Sequence, residues 1–329
     1  MRLVQNINVE SVDIVSQQNL PSIAIILLNW NNYSLTKECL ESLGKMWHRA
    51  FTYKIIVVDN GSSQWEVEAL RRRPDISHLI ENKENLGYVV ASNQAVRYAL
   101  DNGFNYILQL DNDAVVDDIC IEKMVEVLEE DEKVGQVGAK IYYYNEPNRL
   151  QWTGEEMNLW TGDVAGLSRG ITRIIGKREY DTGNEKHDKI REIGCVVSWC
   201  ALSKREVWEK IGLLDEVLFF GWEDDDFSLR ASKAGYRLMY TPYAKVWHRY
   251  SSAFALDGLL QYHGPKTRFM FMRKHANPLQ LVVFHLFFFG VHFWLATAYY
   301  LLWVRRPKVY LWFLRGVWEG VTGNKSTKI

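Results

Sequence analysis

Four short apolar runs, each closed by polar residues and followed by a helix-like stretch, organise the first third of the chain. The first is Ile23 to Leu28, which ends in Asn29-Trp30-Asn31-Asn32, and a helical pattern extends from Ser34 to about Met46. The second, Lys54-Ile55-Ile56-Val57-Val58, is rich in β-branched residues, ends at Asp59-Asn60-Gly61-Ser62 and precedes a polar helical segment. His78 to Glu81 is a weaker third run, closed by Asn85-Leu86-Gly87, with a helix from Tyr88 to Leu100 behind it. The fourth, Tyr106 to Leu110, runs into Asp111-Asn112-Asp113 and then a helix from Ile119 to Glu129. Strands and helices alternating at this spacing predict an α/β fold, with a mostly parallel central sheet and helices on both faces. Because all four strands finish in Asn, Asp or Gly, their polar ends line one edge of that sheet, where open α/β folds bind ligands.

The pattern changes further along. Between about Val134 and Tyr250 it predicts strands at Val137 to Tyr144 and Cys195 to Leu202, a loop over Ser168 to Lys189, and a helix from Lys204 to Ile211. An acidic cluster, Glu223-Asp224-Asp225-Asp226, directly follows Phe219-Phe220-Gly221-Trp222. From Leu281 to Val304 there are 24 residues without Asp, Glu, Lys or Arg. As a helix this run is about 36 Å long, more than the roughly 30 Å hydrocarbon core of a bilayer. Arg273 and Lys274 precede it and Arg305, Arg306 and Lys308 follow it, so the positive-inside rule gives no orientation. A second aromatic run, Val309 to Val321, comes after Pro307, and the pair fits a helical hairpin lying in or dipping into one leaflet. The alternative is a buried helix of a soluble core. The chain divides accordingly at 1–20, 21–130, 131–265 and 266–329.

Composition sharpens this picture in two places. The net charge of −1 conceals an asymmetry: the stretch from Lys266 onward holds ten of the 39 Lys and Arg but one of the 40 acids, Glu319. An acidic globule joined to a basic, aromatic tail points to an anionic membrane surface and not to nucleic acid. Cys39, Cys120, Cys195 and Cys200 show no zinc-type spacing, and the first twenty residues lack a signal-peptide pattern. A cytosolic location, at the inner membrane face, is the expectation.

The candidate chemistry lies at the strand ends. Asp111 and Asp113, one residue apart at the mouth of a buried strand, can share a hard divalent cation whose usual partner is a phosphate oxygen; a plain polar turn is the alternative. No GxGxxG follows the first strand and no GxxxxGK[ST] occurs, which disfavours dinucleotide and P-loop folds. Asp59, Asn85, Asp111 and Asp113 nevertheless suit hydrogen bonds to a base and ribose with a metal on a diphosphate. Within the second acidic cluster, Asp225 and Asp226 read as first-turn acids favoured by the helix dipole, with Asp226 paired to Arg230. Glu223 and Asp224 follow apolar surface, which raises a carboxyl pKa and suits a general base. His248, after a strand, is a candidate metal ligand against the plainer reading of a structural histidine.

At these residues the chain resembles the family-2 glycosyltransferases, inverting enzymes of GT-A fold, and in particular rhamnosyl- and galactofuranosyltransferase-like members. The resemblance covers about Ser22 to Ser252 and rests on motifs in the family's order: Asn29-Trp30-Asn31, Val57 to Ser62, Asn85-Leu86-Gly87, Asp111-Asn112-Asp113, Phe219 to Arg230, and His248. It implies a nucleotide-sugar-binding half over 21–130 and an acceptor-binding half over 131–265, beside the C-terminal membrane-associated helices read from the apolar run. Asn29 and Asp59 would serve the donor site, with Asp59 at the base, and Asn85 with Gly87 would shape the nucleotide pocket. Asp111 and Asp113 would meet ribose, diphosphate and Mn2+ or Mg2+, His248 would complete the metal site, and Asp224 would deprotonate the acceptor hydroxyl. Trp199, Trp222 and Glu223 would face a lipid-linked or glycan acceptor. One departure stands out: Val90-Ala91-Ser92-Asn93 replaces a Gly-Gly-Asn run, narrowing the backbone approach to the donor. Two other readings are a nucleotidyltransferase-like enzyme and a membrane-tethered binding module. The first calls for a basic, Gly-rich loop where Asn29 to Asn32 stand, and the second for degenerate acids where these are intact.

Overall fold

In the computed structural model the described residues are 20–160, 172–183, 185–218, 221–249 and 258–323. Phe219, Phe220, Ser252, most of the expected N-terminal extension and part of the expected 168–189 loop lie outside them. The four apolar runs become β1 (Ser22–Asn29), β2 (Thr52–Asn60), β3 (His78–Asn82) and β4 (Tyr106–Leu110), all parallel neighbours in the order β4-β1-β2-β3. Helices α1 (Tyr33–Leu43), α2 (Gln64–Arg71) and α3 (Tyr88–Asp101) link them. Every residue of β4 is buried, as are Ile23 to Leu27 in β1. Burial of successive positions means both sheet faces are covered, as a parallel sheet requires.

The remaining strands extend the sheet: β5 (Ala114–Val116), β6 (Val134–Tyr143), β7 (Glu146–Trp152), the β8–β9 pair (Glu155–Met157, Thr172–Ile174), β10 (Arg191–Glu192), β11 (Cys200–Lys204) and β12 (Arg237–His248). Helix α4 (Cys120–Glu130) follows β5, while α5 (Arg205–Ile211) and α6 (Glu223–Lys233) lie between β11 and β12. The main sheet runs β10-β12-β6-β11-β4-β1-β2-β3, with β11 inserted antiparallel between β4 and β6. The strand expected over Cys195 to Leu202 begins only at Cys200. Upstream of it the backbone N–H of Ser198 is committed to the Asp224 carboxylate, 3.0 Å away, so it makes no ladder bond.

Three helices complete the described chain: α7 (Leu259–His275), α8 (Pro278–Trp303) and α9 (Pro307–Thr322). A capping box starts α8 earlier than expected: the Asn277 side chain accepts from the Gln280 N–H, Gln280 returns the bond, and Pro278 fixes the first turn. Helix α9 folds back on α7, where Gly316 is required by the crossing, since a Cβ there would lie 2.1 Å from the Tyr262 carbonyl oxygen. Buried Lys266 and Glu319 pair at 2.8 Å across the same contact. Phe269, Phe271, Met272, Phe284, Phe288, Phe313 and Val317 form a second core, against which Leu218, Trp222 and Leu229 also pack. Helix α7 therefore crosses the expected division at 265/266, because its apolar side belongs to the same core as the residues flanking α6.

Candidate active site

Pairing of β12 with β5 sets His248 opposite Ala114, and so brings the histidine to the turn that leaves β4. His248 Nε2 lies 3.1 Å from an Asp113 oxygen and 3.4 Å from an Asp111 oxygen. One ligand atom from each of the three lies within 4.8 Å of the others. The Gln151 amide meets Nδ1 at 3.0 Å, and Trp199 stacks on the ring with centroids 5.0 Å apart. Burial alone would lower the histidine pKa, but the two carboxylates outweigh it and push it up to about 9. Asp111 is raised, chiefly by burial, with His248 opposing. The turn is fixed from beneath: Asn112 donates to Thr36 Oγ1 at 2.7 Å, and Thr36 donates to Asn29 Oδ1 at 2.7 Å. Asp111-Asn112-Asp113 is thus both a turn and a convergent set of carboxylates.

The ends of β1 and β2 are equally ordered. Asn29 and Asp59 face each other in register and are both fully buried. Asn29 Nδ2 donates to Asp59 at 3.0 Å and also reaches Ser62 and Glu66, while the Ser62 N–H donates to the second Asp59 oxygen. Beside them Asn60, which the sequence reading passed over, organises the Asn85 to Gly87 turn. It donates to Asn85 Oδ1 at 2.9 Å and the Gly87 carbonyl at 3.3 Å, and accepts from the Leu86 N–H at 3.0 Å. Gly61, at φ +80°, lets the two loops touch, since a Cβ would sit 2.5 Å from the Glu84 backbone. Replacing Asn60 with Ala strands the buried amide partners of this turn and is expected to cost about 1–3 kcal/mol of stability. Thermal unfolding checks this, and an unchanged midpoint would refute the bracing role. Asn93, in the departing segment, exchanges two 3.0 Å bonds with the Leu214 backbone and so ties α3 to the stretch before α6.

Across the cleft, the first turn of α6 carries the second acid group. Asp224 Oδ2 accepts from both the N–H and the hydroxyl of Ser198, at 3.0 and 3.1 Å. Burial, reinforced by Glu223, drives the Asp224 pKa well above the carboxylate range, and burial likewise puts Glu223 at about 7. Both side chains keep a partial opening to solvent although protein surrounds them densely. Adjacent residues Ser198 and Trp199 meet Asp224 and His248 respectively, so the two acid groups stand side by side, and the Asp111 charge contributes to the Glu223 shift. Tyr88, also unmarked by sequence, belongs there: burial plus the charges of Asp111 and Asp224 raise its pKa.

The other two acids of the cluster diverge. Asp226 pairs with Arg230 at 2.7 Å as expected from its spacing, and also meets Lys274 and His275. Asp225 stands in the first turn of α6 as expected, and it also groups with buried Glu155 and Cys195 within 4.8 Å. Burial, with the charge of Glu155 beside it, pushes the Asp225 pKa up. Trp222 precedes them in left-handed backbone, φ +74°, with its ring against Phe271.

Residues 23–212 of the chain match the model of glycosyl transferase family 2. The chain belongs to this family. It is 23% identical over 253 residues to the dTDP-rhamnosyl transferase RfbF of Shigella flexneri, covering 74% of this chain and 79% of that protein. Two longer relatives share about as much: protein y4gI of Sinorhizobium fredii, 29% identical over 72% of this chain, and the galactofuranosyltransferase GlfT2 of Mycolicibacterium smegmatis, 25% identical over 59%. The chain spans only 25% and 31% of their respective lengths. The mannosyltransferase PcManGT from Pyrobaculum calidifontis, solved in complex with GDP-Man and Mn2+, superposes with a TM-score of 0.56 at 17% identity, covering 94% of this chain and 89% of that one. That likeness establishes the GT-A fold of this family-2 chain.

Proposed function

We propose that the chain is an inverting, metal-dependent glycosyltransferase that moves a sugar from a nucleotide-diphosphate donor to a lipid-linked or polysaccharide acceptor at the cytosolic membrane face. The observation that carries this reading is the division of acids in one cleft, with Asp111, Asp113 and His248 convergent on one side and Asp224 held separately by Ser198 on the other. Two carboxylates and an imidazole suit Mn2+ or Mg2+ as a donor set. Such a cation, when bound, neutralises the charge on the departing diphosphate. Asn29 and Asp59 form the floor beneath the donor's base, and Asn85 with Gly87 shapes the pocket wall that Asn60 braces. Asp224 takes the proton from the acceptor hydroxyl as its oxygen bonds to the anomeric carbon. The bond from that carbon to the diphosphate breaks, and the nucleoside diphosphate leaves with the electron pair. Trp199, Trp222 and Glu223 border the acceptor side. The nucleotidyltransferase alternative finds no support, because the β1–α1 loop has no basic residue to hold a triphosphate.

A base must be deprotonated to act. Because burial, reinforced by Glu223, raises Asp224, the acid limb of the activity profile should lie above that of an ordinary carboxylate. A kcat/KM profile checks this; an acid limb near 4 would contradict the buried base.

The membrane half of the proposal rests on α8, a 26-residue helix long and apolar enough to cross a membrane, with only 11% of its most apolar 18-residue stretch buried. Leu286, Leu302 and Trp303 are 70%, 73% and 83% exposed. Helix α9, about 24 Å long at 1.5 Å per residue, is too short to cross a bilayer and returns to α7, which favours a hairpin set into one leaflet. Replacing Leu286, Leu302 and Trp303 together by Glu touches no core contact and should abolish sedimentation with anionic vesicles. Undiminished pelleting of the triple variant would place the attachment elsewhere.

A further inference from the structure

The base-bearing turn of α6 is fastened to α7 at both ends. At one end, Trp222 sits at φ +74°, a left-handed conformation that a bulky residue holds only where its surroundings impose it. What imposes it is α7: the indole packs on Phe271, ring centroids 5.6 Å apart, and Nε1–H points to the Gly264 carbonyl at 3.4 Å. At the other end, fully buried Asp226 presents one oxygen to His275 Nε2 and Lys274 Nζ, both at 2.6 Å, and the other to Arg230 Nε at 2.7 Å. Lys274 also reaches Asp215, at 2.7 Å, on the approach to α6. Asp224 lies midway between these two fastenings, and Ser198 holds its carboxylate from the opposite side.

We infer that α7 is part of the catalytic apparatus as well as the root of the membrane hairpin, and that Asp226, through Lys274 and His275, is a positioning residue for the base Asp224. The inference rests on the transferase reading above. Its physical content is geometric. Positions 222 and 226 are one helical turn apart, so loosening either lets Asp224 rotate relative to the cleft, and a displacement of about 1 Å at a reacting group can cost about 100-fold in rate. Removal of Asp226 also leaves Lys274 and Arg230 without their shared buried acceptor, which drives them apart.

The full-length protein, in detergent or vesicles, tests this with Asp226→Asn, His275→Ala and His275→Gln. Turnover is read as release of nucleoside diphosphate from a panel of sugar nucleotides with Mn2+, and donor-site integrity as the Kd for UDP, dTDP and GDP with Mn2+. Asp226→Asn should lower kcat about 10- to 100-fold, with nucleoside diphosphate affinity unchanged. His275→Ala, which leaves Asp226 two cations, is the variant to rely on if Asp226→Asn does not fold. It should lower kcat less, and His275→Gln, which restores an N–H donor, should recover it. A merely structural contact would move the unfolding midpoint but not kcat per folded molecule, and that result would overturn the positioning role. If the wild-type chain turns over no sugar nucleotide, the transferase reading and the inference fall together. If it turns over and both Asp226→Asn and His275→Ala keep its kcat, the inference alone falls.

Discussion

Asp224→Asn should abolish sugar transfer while leaving donor binding close to that of the native protein. Asparagine matches aspartate in shape, and its carbonyl oxygen can still accept from the N–H and hydroxyl of Ser198, so the turn at the start of α6 keeps its place. What it cannot do is take a proton. General-base catalysis contributes about 10²- to 10⁴-fold, and a drop of that size in nucleoside diphosphate release, with unchanged Kd for the nucleoside diphosphate, is the expected outcome. Glu223 is the control. It is also raised, to about 7, and one of its oxygens is buried without a hydrogen-bond partner. Should Glu223→Gln be the inactive variant and Asp224→Asn the active one, the base is Glu223. Loss of nucleoside diphosphate binding in Asp224→Asn would assign that residue to the donor side.

The second large effect is expected at Asp113. Together with Asp111 it draws up the His248 pKa, a sign of local negative potential strong enough to overcome burial of the ring. A divalent cation can relieve the same potential. Asp113→Ala should therefore remove the Mn2+-dependent part of nucleoside diphosphate affinity, by about 10- to 100-fold or more, since even residues that only orient metal ligands contribute that much. His248→Ala should do the same to a smaller degree, because both carboxylates remain. Titration in Mn2+ and in EDTA separates the metal-dependent part from the rest. Equal affinities for Asp113→Ala and the native chain in Mn2+ would remove Asp113 from the site.

Much of this was legible in sequence for a local reason. Parallel strands buried on both faces read as apolar runs, and the polar residues that close each run mark one edge of the sheet, so Asn29, Asp59, Asn85 and Asp111 could be placed along that edge without a structure. Asp113 and His248 could be proposed because acids and histidine carry chemistry in their own names. Ser198, Tyr88 and Asn60 could not. They are uncharged, common residue types, and their importance comes from partners elsewhere in the fold: Ser198 meets an acid 26 positions later, and Asn60 a turn 25 to 27 positions later. The antiparallel insertion of β11 is likewise non-local. So is the docking of α7, where His275 reaches Asp226 across 49 residues and ties an apparent tail to α6. Asp225 stands in the first turn of α6 as its spacing suggested, but its place beside Glu155 and Cys195 is again non-local.

The central claim is that Asp111, Asp113 and His248 make a metal-dependent site for a nucleoside diphosphate. Calorimetric titration of the full-length protein with UDP, dTDP and GDP, each in Mn2+ and again in EDTA, tests it most directly. At least one of the three should bind in Mn2+ and lose most of its affinity in EDTA, and Asp113→Ala should show the weak, EDTA-like value under both conditions. Binding of none of them, or an affinity that is the same with and without the metal, would contradict the claim.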